Sequence, residues 1–449
     1  MNLLRALRLT PTRPKGAGTE GVISLVGAGG KTTAMFQLAR QLIESRKTES
    51  PVIIIATTHL GAWQIPLADH HIIATDLAAL ENIPPHGITL ITGEIENDRT
   101  KPVNPTVLSW LHDNSKTQEI PLLIEADGSR QKPLKAPAEH EPPIPEFTDT
   151  VIVVAGLSAL GKQLNDEHVH RPEIFSRLSG LKIDQPITAD AITRILTHPQ
   201  GGLKNIPPTA RRIALLNQAD TPALQSIGGG MARDLLGHFD SVIVGSLKGG
   251  EMQTFERCAG IILAAGESTR FGSPKQLLDW KGKPFVRQVA ETTLQASLWP
   301  VVIVTGFHTA DIESALNGLP VNIVHNPEYQ QGQSSSIRAG INALPHNVGA
   351  SVFLLADQPQ IPVDVIRALI ESHTLGMQAI LAPLVLEERR ANPVLFDRVT
   401  FPDLLKLTGD VGGRAIFDKH RVEYIPWHDD ILLFDVDKPE DYQRLKDME

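Results

Sequence analysis

The sequence has one cysteine, a modest share of charged residues and no long apolar segment. Of its 449 residues, 21% are charged and 41% are hydrophobic, which is typical of a soluble globular protein. The single cysteine, Cys258, excludes an internal disulfide framework and fits a reducing compartment. No apolar run approaches the length of about 18 residues that a membrane-spanning helix requires. We therefore predict a cytoplasmic protein that does not bind membranes.

The charge balance is acidic, with a formal net charge of -9 and a pI of about 6.0. This balance argues against broad binding of nucleic acid or anionic membranes, so any recognition of phosphate must be local. Residues 1–15 include Arg5 and Arg8 and lack the apolar core of a signal peptide, so no secretion signal is expected. A chain of this length predicts two or three domains with substantial cores.

Short apolar runs alternate with longer amphipathic stretches along the whole chain, which predicts an α/β protein with mostly parallel sheets. We expect two α/β domains, residues 1–250 and 256–449, joined by the polar, glycine-bearing stretch 247–253. The predicted strands are residues 22–26, 52–56, 88–91, 122–125, 151–155, 213–217, 242–245, 259–264, 301–305, 321–324, 352–356, 379–382 and 431–434.

A loop with two basic residues follows the predicted strand 259–264. Small residues let backbone N–H groups approach a polyphosphate, so Leu263, Ala264, Ala265 and Gly266 are predicted to bind a nucleotide. Arg270 and Lys275 come next in the chain. Their guanidinium fork and point charge suit phosphate oxygens, and we predict that both are catalytic. The spacing differs from that of a P-loop.

Acidic residues follow two predicted strands of the same half, 352–356 and 431–434. Carboxyl ends of parallel strands are where open α/β sheets bind ligands, and Mg²⁺ prefers one or two carboxylates together with phosphate oxygens. Asp357 and Asp435 are therefore predicted to hold Mg²⁺. For Asp437 we expect a capping role at the helix that starts around Pro439.

A glycine and three serines open the helix predicted at residues 334–344. The free N–H groups of a helix start, together with hydroxyls, can contact a base or an anion, so Gly332, Ser335 and Ser336 are predicted to bind the nucleotide. Simple capping of the helix is the alternative, and both roles can coexist.

These motifs resemble those of the molybdenum-cofactor cytidylyltransferases of the MocA type, a resemblance that covers residues 259–449. It lies in the strings L-A-A-G-E-S-T-R-F-G-S-P-K at 263–275, N-P-E-Y-Q-Q-G-Q-S-S-S at 326–336 and D-V-D-K-P-E-D at 435–441. The resemblance implies a Rossmann-like, GT-A-like nucleotidyltransferase fold. It also implies Mg²⁺ as cofactor, CTP as substrate and molybdopterin cofactor as acceptor. Ala265 stands where the guanylyl-transferring branch has a glycine, which favours CTP.

Two further stretches, 389–393 and 409–414, resemble the acceptor-side loops of that family. They imply that Arg390, Asn392, Pro393 and Arg414 bind the pterin phosphate, and ordinary surface charge is the alternative. Three other functions stay open: a nucleotidyltransferase for another phosphorylated acceptor, transfer from GTP, and a non-catalytic carrier or chaperone of the molybdenum cofactor.

The N-terminal half contains a glycine-rich loop between the predicted strand 22–26 and a predicted helix at 32–45. Its end, Gly30-Lys31-Thr32, has the G-K-[ST] sequence of a P-loop, but Leu25 occupies the place of the first glycine. We predict a P-loop-like domain that binds a second nucleotide; a structural turn is the alternative. The nucleotide-binding residues are predicted to be Gly27, Gly29, Gly30, Lys31, Thr32, Thr33, Asn217 and Asp220, the last two from a string that is similar to N-K-x-D. Asp127, after the strand 122–125, is predicted to bind metal.

As a set, the N-terminal motifs resemble the YqeC-type accessory family of selenium-dependent molybdenum hydroxylases, over residues 21–250. The residues with this resemblance are 27–33, 57–59, 125–128, 135–142 and 170–173. The resemblance implies a molybdenum hydroxylase apoprotein as partner and a role in cofactor modification or delivery. His59, His140 and His170 lie far apart without ligand spacing, so hydrogen-bonding or substrate roles are favoured over a metal site.

Overall fold

The computed structural model describes residues 1–9, 21–46, 50–267, 271 and 274–447. The chain divides into two compact units, Met1–Phe255 and Glu256–Glu449. Each unit has a largely parallel sheet with helices between its strands, which confirms the predicted mixed α/β class. Within the described ranges, no helix has the length and apolar character needed to cross a bilayer.

The N-terminal unit is built on a parallel sheet whose strands are ordered β8-β7-β6-β1-β5-β2-β4-β3. Strands such as β2 and β6 are buried along their whole length, because both faces of a parallel sheet are covered by other elements. The strands are β1 (Val22–Gly27), β2 (Val52–Ala56), β3 (His70–Ile73), β4 (Ile88–Thr92), β5 (Leu122–Glu125), β6 (Thr150–Gly156), β7 (Arg211–Asn217) and β8 (Ser241–Gly245).

Helices and short ladders connect these strands. Side-chain caps mark where several helices start: Asn104, Thr188 and Thr221 each accept a hydrogen bond from a backbone N–H of the first turn. The helices are α1 (Leu3–Ala6), α2 (Lys31–Arg46), α3 (Pro105–Gln118), α4 (Pro172–Ser179), α5 (Ala189–Thr197) and α6 (Pro222–Leu235). Two-residue strands are Leu60–Gly61, Ile95–Glu96, Arg99–Thr100, Leu134–Lys135 and Val169–His170.

The C-terminal unit has a mixed sheet ordered β11-β10-β9-β12-β14-β13-β15. Its first four strands are parallel and β14 runs antiparallel to both neighbours. The boundary between the units falls within β9. The strands are β9 (Met252–Ala264), β10 (Val301–Thr305), β11 (Asn322–His325), β12 (Val348–Leu355), β13 (Ile380–Val385), β14 (Val394–Asp397) and β15 (Val422–Trp427).

Buried apolar residues pack on both faces of this second sheet, under its helices. The helices are α7 (Phe285–Gln295), α8 (Thr309–Ala315), α9 (Gln333–Asn342), α10 (Val363–Gly376), α11 (Phe401–Leu404) and α12 (Pro439–Asp447). Two-residue strands are Asp279–Trp280, Lys283–Pro284 and Arg389–Arg390.

The structure corrects the prediction of a strand at residues 431–434. Residues 431–433 lie in the 3₁₀ helix Asp430–Leu433 and Phe434 ends it; the helix starts where the Asp429 side chain accepts a hydrogen bond from the Ile431 N–H. Such a cap favours a turn over an extended chain. Asp435 therefore follows a helical turn. The stretch 247–253 was predicted as a linker. It begins as a turn closed by the bond from the Gly250 N–H to the Ser246 carbonyl, and β9 already starts at Met252.

Candidate functional site

The glycine-rich loop of the N-terminal unit lies between β1 and α2, as its sequence predicts. Gly27, Gly29 and Gly30 have φ angles of +94°, +85° and +125°, a region that disfavours other residues. A Cβ at Gly29 would lie 2.4 Å from the Gly156 nitrogen of β6. The loop therefore needs glycine both for its backbone conformation and for its close packing on the sheet.

Lys31 starts α2 and turns back into this loop. Its side chain is 3% exposed, and its Nζ donates a 2.6 Å hydrogen bond to the Gly27 carbonyl. Thr32 Oγ1 lies 3.5 Å from Glu125 Oε2 at the end of β5. Burial raises the pKa of the Glu125 carboxyl, and the Lys31 ammonium offsets this only in part. Thr33, the next residue of α2, is exposed.

Five alternating charges, which we call the charged cluster, connect the loop to the chain around residue 140: Lys31, Asp127, Lys135, Glu141 and Arg171. Lys31 Nζ lies 3.1 Å from Asp127 Oδ1, and Lys135 Nζ lies 2.8 Å from Asp127 Oδ2. Lys135 also pairs with Glu141 at 2.9 Å, and Arg171 binds both Glu141 oxygens, at 2.6 and 3.1 Å. Four of these side chains are at most 10% exposed, and only that of Arg171 reaches solvent to a larger extent.

Two pKa values reflect this cluster. Burial alone would raise the pKa of Glu141, but hydrogen bonds from Arg171 and the charge of Lys135 outweigh it and lower the pKa to about 2. Burial, with the cations Arg171, Lys135 and Arg130, lowers the pKa of His170 to about 4. His170 is therefore neutral at physiological pH. Within the described residues, no group of three or more His, Cys, Asp or Glu is arranged to hold a metal by itself.

Asn217, predicted to contact a base, is buried at the end of β7 and holds the loop in place. Its Nδ2 donates a 2.6 Å hydrogen bond to the Gly29 carbonyl, and its Oδ1 accepts one of 3.0 Å from the Leu247 N–H. Asp220 is exposed three residues later. The structure thus brings Asn217 to the glycine-rich loop, while Asp220 is exposed at the surface.

In the C-terminal unit, the predicted nucleotide loop begins where β9 ends, between β10 and β12. Ala265 is buried and Gly266 is exposed, with its carbonyl bound by Gln276 Nε2 at 2.8 Å. A Cβ at Gly306 would lie 2.6 Å from the Ala265 carbonyl oxygen, so β10 approaches the loop closely. Leu263 and Ala264 lie at the end of β9 itself. Arg270 lies outside the described residues.

Lys275 and three carboxylates gather beside this loop. Lys275 Nζ lies 2.9 Å from Asp437 Oδ1, and Asp435 Oδ1 accepts a 2.5 Å hydrogen bond from Gln358. Burial and the charges of Asp435 and Asp437 raise the pKa of the half-buried Asp357, and Lys275 opposes them. The structure thus brings Asp357 and Asp435 together, as predicted. Asp437 pairs with Lys275, and the capping role expected for it stays a prediction.

Gly332, Ser335 and Ser336 lie together at the start of α9. Both serines are buried, and the Asn326 Nδ2 donates to their hydroxyls at 2.8 and 3.1 Å. Gly332 has φ +99°, and a Cβ there would lie 2.5 Å from the Asp410 Cα. The helix start is therefore fixed by Asn326 on one side and by the loop around Asp410 on the other.

The residues assigned to the acceptor form a second, more exposed group. Arg414 Nη2 lies 3.4 Å from Asn392 Oδ1, and the Arg390 guanidinium stacks over Tyr424 with its carbon 5.4 Å from the ring centre. Pro393 is buried next to Asn392. Arg390 and Arg414 are both exposed, which leaves their cationic groups open to an anion in solvent.

The sequence analysis assigned no role to several residues whose hydrogen bonds fix the parts of these sites. Gln276, Gln358 and Asp410 each bind a loop or carboxylate named above. The clearest signal for one of them was position, because Gln358 directly follows Asp357 at the end of a strand. The bond between Asp410 and the Gln333 N–H joins residues far apart in the chain, and no local pattern indicates it.

Two different known families match the two units of the chain. The YqeC protein family model covers residues 23–173, and the MobA-like NTP transferase domain model covers residues 260–424. YqeC of Escherichia coli (strain K12) is 35% identical over 216 residues, which are 44% of this chain and 75% of that protein. Both resemblances found in the sequence are thereby confirmed.

Two relatives align with the C-terminal unit. Nicotine blue oxidoreductase of Paenarthrobacter nicotinovorans is 33% identical over 196 residues, 41% of this chain and 95% of that protein. Molybdenum cofactor cytidylyltransferase of Escherichia coli (strain K12) is 31% identical over 111 residues, 24% of this chain and 56% of that protein. The chain therefore belongs to the YqeC family through its N-terminal unit and to the MobA-like NTP transferase family through its C-terminal unit.

Proposed function

We propose that the C-terminal unit transfers CMP from CTP to the phosphate of molybdopterin cofactor and releases pyrophosphate. The observation that supports this most is the group of Lys275, Asp357 and Asp435 beside the loop after β9. A nucleotidyltransferase needs this combination of cation and carboxylates, whereas a pure cofactor carrier does not. Similarity to a molybdenum cofactor cytidylyltransferase supports the choice of nucleotide and acceptor.

The carboxylates fit Mg²⁺ on their own chemistry. The pKa of Asp357 is raised because burial and two acidic neighbours disfavour its charged form, so a bound cation would relieve that repulsion. Asp357 and Asp435 supply oxygen ligands, and the Mg²⁺ preference for few carboxylates plus phosphate and water matches their number. Asp357 and Asp435 would hold the ion, which when bound would neutralise charge on the reacting phosphates.

The chain's own residues then position and stabilise the reactants. The acceptor phosphate oxygen forms a bond to the α-phosphorus of CTP, and the bond from that phosphorus to the pyrophosphate oxygen breaks. Lys275 would leave Asp437 and stabilise the negative charge that develops on the phosphates, with Arg270 and the amides of Ala265 and Gly266. The Ser335 and Ser336 hydroxyls would contact the base. Positioning of this kind dominates the catalysis of phosphoryl-type transfers.

The acceptor is proposed to bind at Arg390, Asn392, Pro393 and Arg414. The two exposed guanidiniums can each offer paired N–H donors to a phosphate. Stacking of Arg390 on Tyr424 limits its conformations, so less side-chain freedom is lost when an anion binds. A pterin ring with a phosphate suits such a combination of aromatic and cationic groups.

Pyrophosphate release tests this proposal, with Mg²⁺, molybdopterin cofactor and each of CTP, GTP, ATP and UTP. We expect turnover selective for CTP, lost in Asp357→Asn and kept in Asp364→Asn, an exposed acid in the first turn of α10. Selectivity for GTP would show that Ala265 does not set the base. Turnover with another phosphorylated compound alone would identify a different acceptor. No release with any combination would refute the transfer to molybdopterin cofactor that is proposed here.

For the N-terminal unit we propose that the loop from Gly27 to Thr32 binds a second nucleotide with Mg²⁺. Lys31 would turn from Asp127 towards the phosphates, as P-loop lysines do. Asp127, the predicted metal ligand, is bound by the Gly27 N–H and by both lysines. Glu125 Oε2 lies 3.5 Å from the Thr32 hydroxyl, so we propose that Glu125 and Thr32 hold the ion in its place. Calorimetry with ATP and GTP tests binding, and Lys31→Ala should abolish it. Unchanged affinity in that variant would refute the site.

We further propose that this unit serves a molybdenum hydroxylase in the cytoplasm, by modifying or delivering the cofactor. The YqeC family membership supports a role beside the C-terminal transferase in one pathway. Purification of the full chain from cells that make a molybdenum hydroxylase should recover the apoprotein or bound cofactor. Recovery of neither would count against delivery and leave the transferase proposal untouched.

A further inference from the structure

A pocket beside the phosphate loop carries a further inference about the N-terminal unit. We propose that this pocket binds a neutral, largely aliphatic alcohol and that the unit transfers the terminal phosphoryl group of its nucleotide to that hydroxyl. This inference rests on the nucleotide binding proposed above. It adds the class of acceptor and the reaction.

The pocket lies under α5, against the ends of β1 and β6, and opens to solvent. Leu134, Val153, Ile195 and Leu196 supply much of its wall, and all four are buried apolar residues. Gly27 of the phosphate loop lines it too. A ligand in the pocket would therefore lie next to the loop that is proposed to hold the phosphates.

One polar atom points to a ligand with a hydrogen-bond donor. Asp127 lines the pocket and is 2% exposed. Its Oδ2 accepts a 3.0 Å hydrogen bond from the Gly27 N–H, while its buried Oδ1 has no hydrogen-bond partner among the described residues. Lys31 lies 3.1 Å from that Oδ1 and would leave it on turning to a phosphate. The vacated oxygen would then need a donor, since an unpaired buried carboxylate oxygen is costly.

The second polar group in the wall, Lys135, indicates that the ligand is uncharged. Its Nζ lies within 2.9 Å of the Gly128 carbonyl, of Asp127 Oδ2 and of Glu141 Oε2, so its three N–H groups are directed to oxygens of the protein. No donor of Lys135 is left for an anion. An acidic or phosphorylated acceptor would enter this pocket without a partner, whereas a hydroxyl on an aliphatic body matches Asp127 and the apolar wall.

The geometry places that hydroxyl close to the terminal phosphate. A P-loop lysine contacts the β- and γ-phosphates, and Lys31 lies beside the Asp127 oxygen to which the hydroxyl would donate. The hydroxyl oxygen forms a bond to the γ-phosphorus, and the bond from that phosphorus to the β-phosphate oxygen breaks. The products are an alkyl phosphate and a nucleoside diphosphate. The hydroxyl proton is lost late, to the Asp127 oxygen that accepts its hydrogen bond, as a loose transition state permits.

Phosphorus NMR tests this reaction on the full chain with ATP, Mg²⁺ and each of ethanol, 1-butanol and benzyl alcohol as probes. We expect an alkyl phosphate signal that is separate from inorganic phosphate. Asp127→Asn should lower the ratio of alkyl to inorganic phosphate by about tenfold, since it removes one charged acceptor for the hydroxyl. Ile195→Ala should shift the preference towards the bulkier alcohol. Ile192→Ala, a buried change on the same helix outside the pocket wall, should not.

Calorimetry of nucleotide binding on the same variants separates the two proposals. If ATP binds but every alcohol gives inorganic phosphate only, or no transfer, the acceptor pocket is refuted and the nucleotide site stands. Equal alcohol preference in Ile195→Ala and Ile192→Ala would refute the pocket as the place where the alcohol binds. If ATP, GTP, CTP and UTP all fail to bind, the nucleotide proposal falls and this inference falls with it.

Discussion

Replacing Glu141 with glutamine should destabilise the N-terminal unit at neutral pH and have little effect in strong acid. Glu141 is 8% exposed and lies between two cations of the charged cluster, Lys135 and Arg171. Its carboxylate also accepts a hydrogen bond from the Ala138 N–H. Glutamine keeps the size of the side chain and removes the charge, so it leaves both cations without their shared carboxylate.

The pKa of Glu141 sets the size and the pH range of this effect. Lowering of that pKa from 4.5 to about 2 on folding corresponds to roughly 3 kcal/mol of stability. Because the folded state favours the ionised carboxyl, this contribution is fully present above about pH 4.5. It is lost as the pH falls through the folded-state pKa of about 2. The difference between wild type and Glu141→Gln should therefore be largest near pH 7 and shrink steadily below pH 4.5.

Hydrogen exchange of the full chain measures the stability difference between wild type and Glu141→Gln. It is followed in peptides that cover residues 122–175, in urea and at a series of pH values from 7 down to 3. Protection corrected for intrinsic exchange gives the free energy of opening for the N-terminal unit. Glu139→Gln is the matched control, because Glu139 is an exposed glutamate in the same loop. An equal loss at every pH, or no loss at pH 7, would refute the assignment of a buried, ion-paired carboxylate.

Three further changes test the loops. Lys275→Ala should lower kcat/KM by at least about a hundredfold with the fold intact, because it removes a cation from the transition state. Lys281→Ala is the control and should leave the rate unchanged. A near-native rate in Lys275→Ala would remove Lys275 from the mechanism. Gly332→Ala should raise the nucleotide KM by about tenfold, because the new Cβ would clash with the Asp410 backbone and φ is +99°. Gly318→Ala is the control, since φ there is +83° but the space around it is open. Equal KM values in the two variants would show that the approach of Asp410 to Gly332 does not matter for binding. Asn217→Ala should weaken nucleotide binding by about tenfold in calorimetry, because the loop loses its bond from Asn217 to Gly29; unchanged affinity would show that the loop holds its shape without it.

Strands buried on both faces could be predicted closely from the sequence. The run 52–56 is apolar throughout and forms β2 with the predicted bounds, and 301–305 forms β10 likewise. The run 431–434 is equally apolar but has Asp429 before it, and the hydrogen bond of that side chain to Ile431 closes a 3₁₀ turn. The strand Val422–Trp427 was missed because Glu423 and Pro426 interrupt its apolar pattern. Its extended conformation is stabilised by the parallel pairing with β13, which the local sequence does not show.

Placement of single side chains at the sites depended on tertiary contacts that the sequence does not show. Asp435 and Asp437 both follow the same turn, and the sequence favoured Asp435 as the metal ligand without showing the partner of either. Their partners distinguish them: Gln358 holds Asp435 beside Asp357, and Lys275 binds Asp437. Both partners lie more than 70 residues away in the chain. Local patterns therefore identify the acidic segment and favour Asp435, whereas the partner of each carboxylate is seen only in the packed structure.

The two nucleotide loops differ in how their lysines are neutralised, and this difference predicts how each would respond to a ligand. Lys31 is buried and bound within its own loop, so a phosphate must displace Asp127 and leave that carboxylate oxygen to a new donor. Lys275 is largely buried too, but it pairs with Asp437, whose carboxylate is largely exposed, so water can solvate that carboxylate when the lysine turns to a phosphate. Binding at the N-terminal loop should therefore rearrange the charged cluster, whereas binding at the C-terminal loop should mainly add a cation between carboxylates already in place.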